Sequence, residues 1–196
     1  MSNLISQPIS PDIRVSICGN GAVELAQALN RTPAPLAQAD VAIFVVSAVT
    51  GFSTDLPAAW EEARSRYIPS LVAIGELEKS EIDFEDMSAI VGKTLDPILT
   101  PYLVLHSDEG FPTALINLAN LMITDYSLGL KRTIQSDPEH KELVAEFREE
   151  YLAEIEVTGE DGFEQGLLFP AIPISLHIKL GIAEINEYLD RIPSGR

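Results

Sequence analysis

The residues with the clearest chemical potential lie in "RVSICGNGAVELAQALN", 14–30. An apolar strand, Val15 to Cys18, runs into the turn Gly19-Asn20-Gly21, and a helical pattern with Leu25 and Leu29 four apart follows at once. Strand, glycines and helix are the layout that holds phosphate, because the first backbone N–H groups of the helix point at the anion. A complete phosphate loop reads Gly-x-x-x-x-Gly-Lys-Ser/Thr. Its Lys neutralises the β and γ oxygens and its hydroxyl holds magnesium. Here Val23, Glu24 and Leu25 follow the glycines, no Lys is present, and the loop is several residues too short. Glu24 places a carboxylate in the first helical turn, where it competes for the positive end of the helix. The stretch therefore reads as a tight strand-to-helix turn with Gly or Asn in a left-handed conformation. A second tripeptide, Gly92-Lys93-Thr94, fails the same template: Met87 stands where its first Gly is needed, and the stretch falls late in a helical pattern.

Other reactive residue types are present without a pattern that joins them. No Gly-x-Ser-x-Gly elbow occurs. His106, His140 and His177 are scattered without metal-ligand spacing, and the lone Cys18 has no cysteine partner. His177 follows a predicted strand and reads as a packed or solvated side chain. The acidic pairs Glu61-Glu62 and Glu149-Glu150 fall on helix faces and read as solvated surface. "DGFE", 161–164, lacks the periodicity of a calcium loop. Nothing in these residues supports an independent enzyme.

The elements that must position these residues follow from apolar periodicity. "VAIFVVSA", 41–48, is a continuous run of branched and aromatic residues, the mark of a parallel strand buried on both faces. Comparable strands are expected over 13–18, 70–75 and 169–176. Helices are expected over about 22–30, over 55–67 with Leu56, Ala59, Trp60, Ala63 and Tyr67 on one stripe, and over 81–95. Further helices are expected over 140–156, with Leu143, Val144, Phe147, Tyr151 and Ile155 inward, and over 181–193, ended by Pro193. Residues 30–40 form a Pro-broken connector with room for a short helical turn. Between 101 and 126 the rhythm changes to short apolar runs and turns, which fit two or three strands, or a strand and a helix. Strands alternating with helices at both ends predict a parallel α/β sheet with an inserted subdomain.

The chain has 196 residues, 46% hydrophobic and 22% charged, as in an ordinary globular protein. Its net charge of -17 argues against binding nucleic acid or an anionic membrane, and it would tolerate a basic protein partner. No run of about 18 apolar residues is present, so no membrane span is expected. Residues 1–12 read as a flexible leader without signal-peptide character. One apolar cysteine fits a reducing cytoplasm.

Residues 39–85, "ADVAIFVVSAVTGFSTDLPAAWEEARSRYIPSLVAIGELEKSEIDFE", resemble the central part of the GTP-binding domain of translational GTPases, of the elongation factor G type and its ribosome-protection relatives. That family has an apolar strand, a "DAVAGV"-like turn, a Trp-containing acidic helix, then a strand ending in Asn-Lys-x-Asp and followed by "ADF". Here Ala48-Val49-Thr50-Gly51 take the turn, Trp60 the helix position and Asp83-Phe84 the "DF". "FREEYLAEIE", 147–156, is similar to an acidic helix of the family's inserted subdomain, and 172–194 to the closing segment of its GTP-binding domain. Together these stretches cover about three quarters of the chain.

The departures fall on the residues that handle nucleotide. By the resemblance, the family's base-reading Asn corresponds to Gly75 and its Asp to Glu78, while the Ser of the closing loop corresponds to Ser175 followed by Leu176. Gly75 has no side chain, and Glu78 is one methylene longer than the Asp it replaces. The family's two switches, two strands and a helix lie between the phosphate loop and the strand matched by 41–48, an interval that only residues 22–40 fill here. The resemblance thus implies a P-loop-NTPase-like three-layer α/β sandwich with a reduced, mainly parallel sheet. Its core would comprise 13–96 and 166–196, with an inserted subdomain over 97–165.

The function this implies is a non-catalytic pseudo-GTPase, a scaffold or protein-interaction module. It would carry a remnant nucleotide cleft at Gly19, Asn20, Gly21, Gly75, Glu78 and Ser175 and require no cofactor. The alternative is a GTP- or GDP-binding translation-factor-like protein with an unorthodox site, which would take GTP and magnesium. With two strands missing, the first strand becomes a sheet edge where a protein partner or a second copy could pair.

Overall fold

Stretches rich in Val, Ile, Ala and Phe form the centre of the molecule because such side chains lose least as strands covered on both faces. The computed structural model describes residues 13–128 and 131–193; the leader expected over 1–12 lies outside them. In chain order the elements are β1 (Val15–Gly19), α1 (Ala22–Ala28), β2 (Val41–Ser47), α2 (Leu56–Ser65), β3 (Ser70–Gly75), α3 (Phe84–Thr94), β4 (Tyr102–His106), β5 (Pro112–Asn117), β6 (Met122–Asp125), β7 (Arg132–Gln135), α4 (Pro138–Leu143), α5 (Ala145–Thr158), β8 (Ala171–Pro173) and α6 (Ile182–Asp190). A short 3-10 turn, Leu36–Gln38, lies in the expected connector.

The chain is α/β. β1, β2, β3 and β8 form a parallel sheet in that order, and β4, β5, β6 and β7 form a second, antiparallel sheet. β2 and β3 are buried along their whole length. Helices cover both faces of the parallel sheet. Trp60 of α2 packs edge-on against Phe44, with ring centroids 4.9 Å apart, while α1 begins beside Val45, whose side chain alternates to the other face. Trp60 also meets Phe169 at 5.1 Å and donates Nε1–H to Asp96 at 2.7 Å. Arg64 donates to the same Asp96 oxygen at 3.0 Å, which ties α2 to the segment after α3. α3 starts where the sequence sets a cap: the Asp83 carboxylate accepts the Asp86 N–H at 2.8 Å, and Phe84 beside it is buried.

β8 is shorter than the strand expected over 169–176. Three residues pair with β3, after which the chain turns to exchange hydrogen bonds between Ser175 and Leu180. β1 is an outer strand, but its first outward carbonyl is taken: the Ala34 N–H of the connector reaches the Val15 oxygen at 2.8 Å.

The ambiguous stretch 101–126 resolves as three strands, and β7 adds a fourth that the sequence did not announce, because all four of its residues are exposed. The antiparallel sheet is covered on both faces. Tyr102, Val104, Leu115 and Tyr126 join the cluster that fills the parallel sheet, while Leu103, Ala114, Ile116 and Ile123 form a second cluster with Val144. The helix expected over 140–156 is corrected here to two helices that meet at Val144. Only Val144 is fully inward. Tyr151 and Ile155 are half-buried against the core, as expected, whereas Leu143 is 70% exposed and Phe147 42% exposed.

Candidate functional site

Parallel strands leave their ligand-binding opening beyond their carboxyl ends. Here the ends of β1, β2, β3 and β8 open onto a cleft of about 920 Å³. The turn after β1 contributes Asn20 and Gly21, and the end of β2 contributes Ser47. The turn after β3 contributes Gly75, Glu76, Glu78 and Lys79, and the loop after β8 contributes Ser175 to Ile178. The β4–β5 hairpin closes one side with Phe111, Pro112 and Thr113. Five of the six residues singled out from the sequence therefore line one cleft.

Gly19 does not line it. It sits beneath the cleft at φ 104°, where an added Cβ would lie 2.2 Å from the Val45 carbonyl oxygen. Only a glycine allows both the left-handed backbone and that approach. Gly21, at φ 91°, starts the seven-residue α1. Asn20, between them, is used internally. Its N–H donates to the Val45 carbonyl at 3.1 Å, and its Nδ2 donates to Thr50 Oγ1 at 3.2 Å and to the Gly51 carbonyl at 3.0 Å. The turn is thus clamped to the β2–α2 connection. Glu24 stands in the first turn of α1 and faces the cleft.

Ser47 and Glu76 were not foreseen from the sequence. The β2–β3 register sets Ser47 beside Gly75, and Glu76 follows in a left-handed conformation at φ 61°. The Ser47 hydroxyl accepts the N–H groups of Val49 and Thr50 at 3.1 and 2.9 Å and donates to Glu76 Oε2 at 2.5 Å. Lys79 donates to Glu76 Oε1 at 3.0 Å. These bonds favour the charged form, so the Ser47 hydroxyl first, and Lys79 second, hold the Glu76 carboxyl below the usual carboxylate range. The signal in the sequence was a Ser closing an apolar strand and a Glu just past the next; it is too common to act on without the register.

Glu78 has one carboxylate oxygen, Oε2, that is buried without a hydrogen-bond partner. Ser175 is 5% exposed, and among the described residues its hydroxyl has no partner; only its backbone is engaged, with Leu180. The cleft also has an apolar lining from Val45, Ile174, Leu176 and Ile178. The charged groups lining the cleft are three carboxylates, Glu24, Glu76 and Glu78, and one ammonium, Lys79, already bound to Glu76. The three histidines do not converge: His106 ends β4, His140 lies in α4, and only His177 lines the cleft. Among the described residues no group of three or more His, Cys, Asp or Glu side chains could hold a metal ion. Gly92-Lys93-Thr94 lies at the end of α3, away from the cleft.

No protein-family model and no curated protein matches the sequence. The fold is similar to that of a Thermus thermophilus protein, ttk003000868, whose crystal structure it matches with a TM-score of 0.66 at 26% identity. The match covers 81% of this chain and 27% of that one, so this chain spans little more than a quarter of that protein's length. Among the described residues no helix is long and apolar enough to cross a membrane.

Proposed function

We propose that this chain is a non-catalytic pseudo-GTPase module. It would be a reduced P-loop-NTPase-like sandwich related to the GTP-binding domain of elongation factor G-type translational GTPases, and would act through protein interaction. The observation that carries this reading is the charge of the cleft. A magnesium-bound nucleoside triphosphate needs cations and free backbone N–H groups around its phosphates. Here it would meet Glu24, Glu76 and Glu78, with Lys79 already engaged by Glu76 and the Asn20 N–H already bonded to Val45. These residues do not fit the group. The interaction surface is the carboxyl end of the parallel sheet. The β1 edge, where the sequence suggested a partner or a second copy, offers less, since the connector already occupies its Val15 carbonyl.

Isothermal titration with GTP and GDP, with and without magnesium, tests this. The expected outcome is no binding heat up to millimolar nucleotide from protein shown to be folded. Micromolar binding would sink the proposal in favour of a nucleotide-binding, translation-factor-like protein. One observation favours that second reading: Asn20, Gly21, Gly75, Glu78 and Ser175 line the same cleft, and one Glu78 carboxylate oxygen has no hydrogen-bond partner.

A further inference from the structure

We propose that the cleft receives an arginine side chain from a partner protein, carried on a segment whose neighbouring residues are apolar. The inference rests on the non-catalytic reading above, because a nucleotide would occupy the same space. Three observations point to this occupant. First, Glu78 Oε2 is buried without a hydrogen-bond partner, and a carboxylate oxygen left so is costly until a cation or donor reaches it. Second, the nearly buried Ser175 lines the same cleft with a hydroxyl that no described residue engages. Third, the cleft has an apolar lining that includes Phe111, which is 51% exposed. A guanidinium presents several donors in a planar fork and stacks on apolar or aromatic surface, which matches unpartnered acceptors beside an apolar lining. An apolar flank on either side of it would cover that lining.

The whole-chain charge favours a basic partner over a second copy. With 13 Lys and Arg against 30 Asp and Glu, two copies repel, and a cationic segment is steered to the acidic cleft. A bare divalent ion is a poorer match, as no group of three or more ligating side chains is assembled among the described residues.

The test is an NMR titration of the isotope-labelled chain with an acetylated, amidated tetrapeptide pool. Arg is fixed at the second position, with Leu, Ile, Val and Phe mixed elsewhere. The control is the same pool with citrulline, which keeps the shape and removes the charge. Expected are amide shifts confined to 75–79, 111–113 and 174–178, with binding at least about tenfold weaker for the citrulline pool. The Glu78→Gln variant, its fold checked by the same spectrum, should lose a similar factor, while Glu149→Gln on exposed α5 should lose none. Equal response to both pools, shifts elsewhere, or no shift at millimolar Arg pool overturns the proposal. GTP titrated into the same sample separates the two readings. Silence from both GTP and the Arg pool removes only the arginine site, whereas GTP shifts at the cleft remove the non-catalytic reading beneath it.

Discussion

At the scale of single residues, the Ser47 hydroxyl fixes the cleft's polar geometry. It gathers the turn after β2 by accepting two N–H groups and gives its own proton to a hydrogen bond with Glu76. The folded state therefore holds Glu76 ionised below the range where an unfolded carboxyl would protonate. A depressed pKa contributes stability above the ordinary carboxylate range, and that contribution is lost as pH falls through the folded value. Ser47→Ala should move the Glu76 carboxyl back toward the ordinary range and flatten the acid dependence of stability. Carboxyl-carbon NMR titration reads this directly, and an unchanged Glu76 midpoint would refute it. The magnitude stays modest, since the Glu76 side chain is 41% exposed and water screens it. The glycine turn was legible in the sequence because missing residues and a misplaced Glu24 can be read from type and spacing alone. Ser47 with Glu76 was not, because it depends on two strands lying side by side and on a left-handed Glu.

At the scale of elements, α6 begins at a glycine pressed against a strand carbonyl. Gly181 starts α6 at φ 84°, and an added Cβ would lie 2.1 Å from the Pro173 carbonyl oxygen. Gly51 has a similar φ of 73° with nothing within 4 Å of an added Cβ. Gly51→Ala should therefore cost only the left-handed backbone term, about 1–2 kcal/mol. Gly181→Ala should cost roughly a further 2 kcal/mol, because α6 must move off β8. Urea midpoints compare the two, and equal losses would show that the close approach does not matter. The parallel strands were legible because burial on both faces leaves an unbroken apolar run. α4 and α5 read as one helix in the sequence because their apolar residues keep helical spacing across the break at Val144. β7 escaped notice for the opposite reason: its exposed residues carry no apolar signal.

At the scale of the whole molecule, the two sheets are joined through buried phenols. The Tyr126 hydroxyl donates to the buried Glu184 of α6, at 2.7 and 2.6 Å from its two oxygens. Lys131 lies 3.8 Å from the same carboxylate. Burial first, then the charge of Glu184, pushes the Tyr126 phenol well above its ordinary value; burial does the same to Tyr102 and Tyr188. A raised folded pKa stabilises below the ordinary phenol range and is lost as pH climbs past it. Absorbance at alkaline pH should show these three phenols ionising only together with unfolding; their ionisation in a folded chain would contradict the packing described.

The pairing of β3 with β8 has a kinetic side. Its partners, Val72 and Ala171 among them, stand about 100 positions apart, so closing that loop costs on the order of 4 kcal/mol of chain entropy before three residue pairs give anything back. The β4–β7 meander within the loop consists of neighbouring strands and needs no such closure. Once formed, it takes residues 102–135 out of the flexible part of the loop. The antiparallel sheet is therefore a shortcut for folding as well as a wall of the cleft, and it lowers the effective contact order of the strand that completes the parallel sheet.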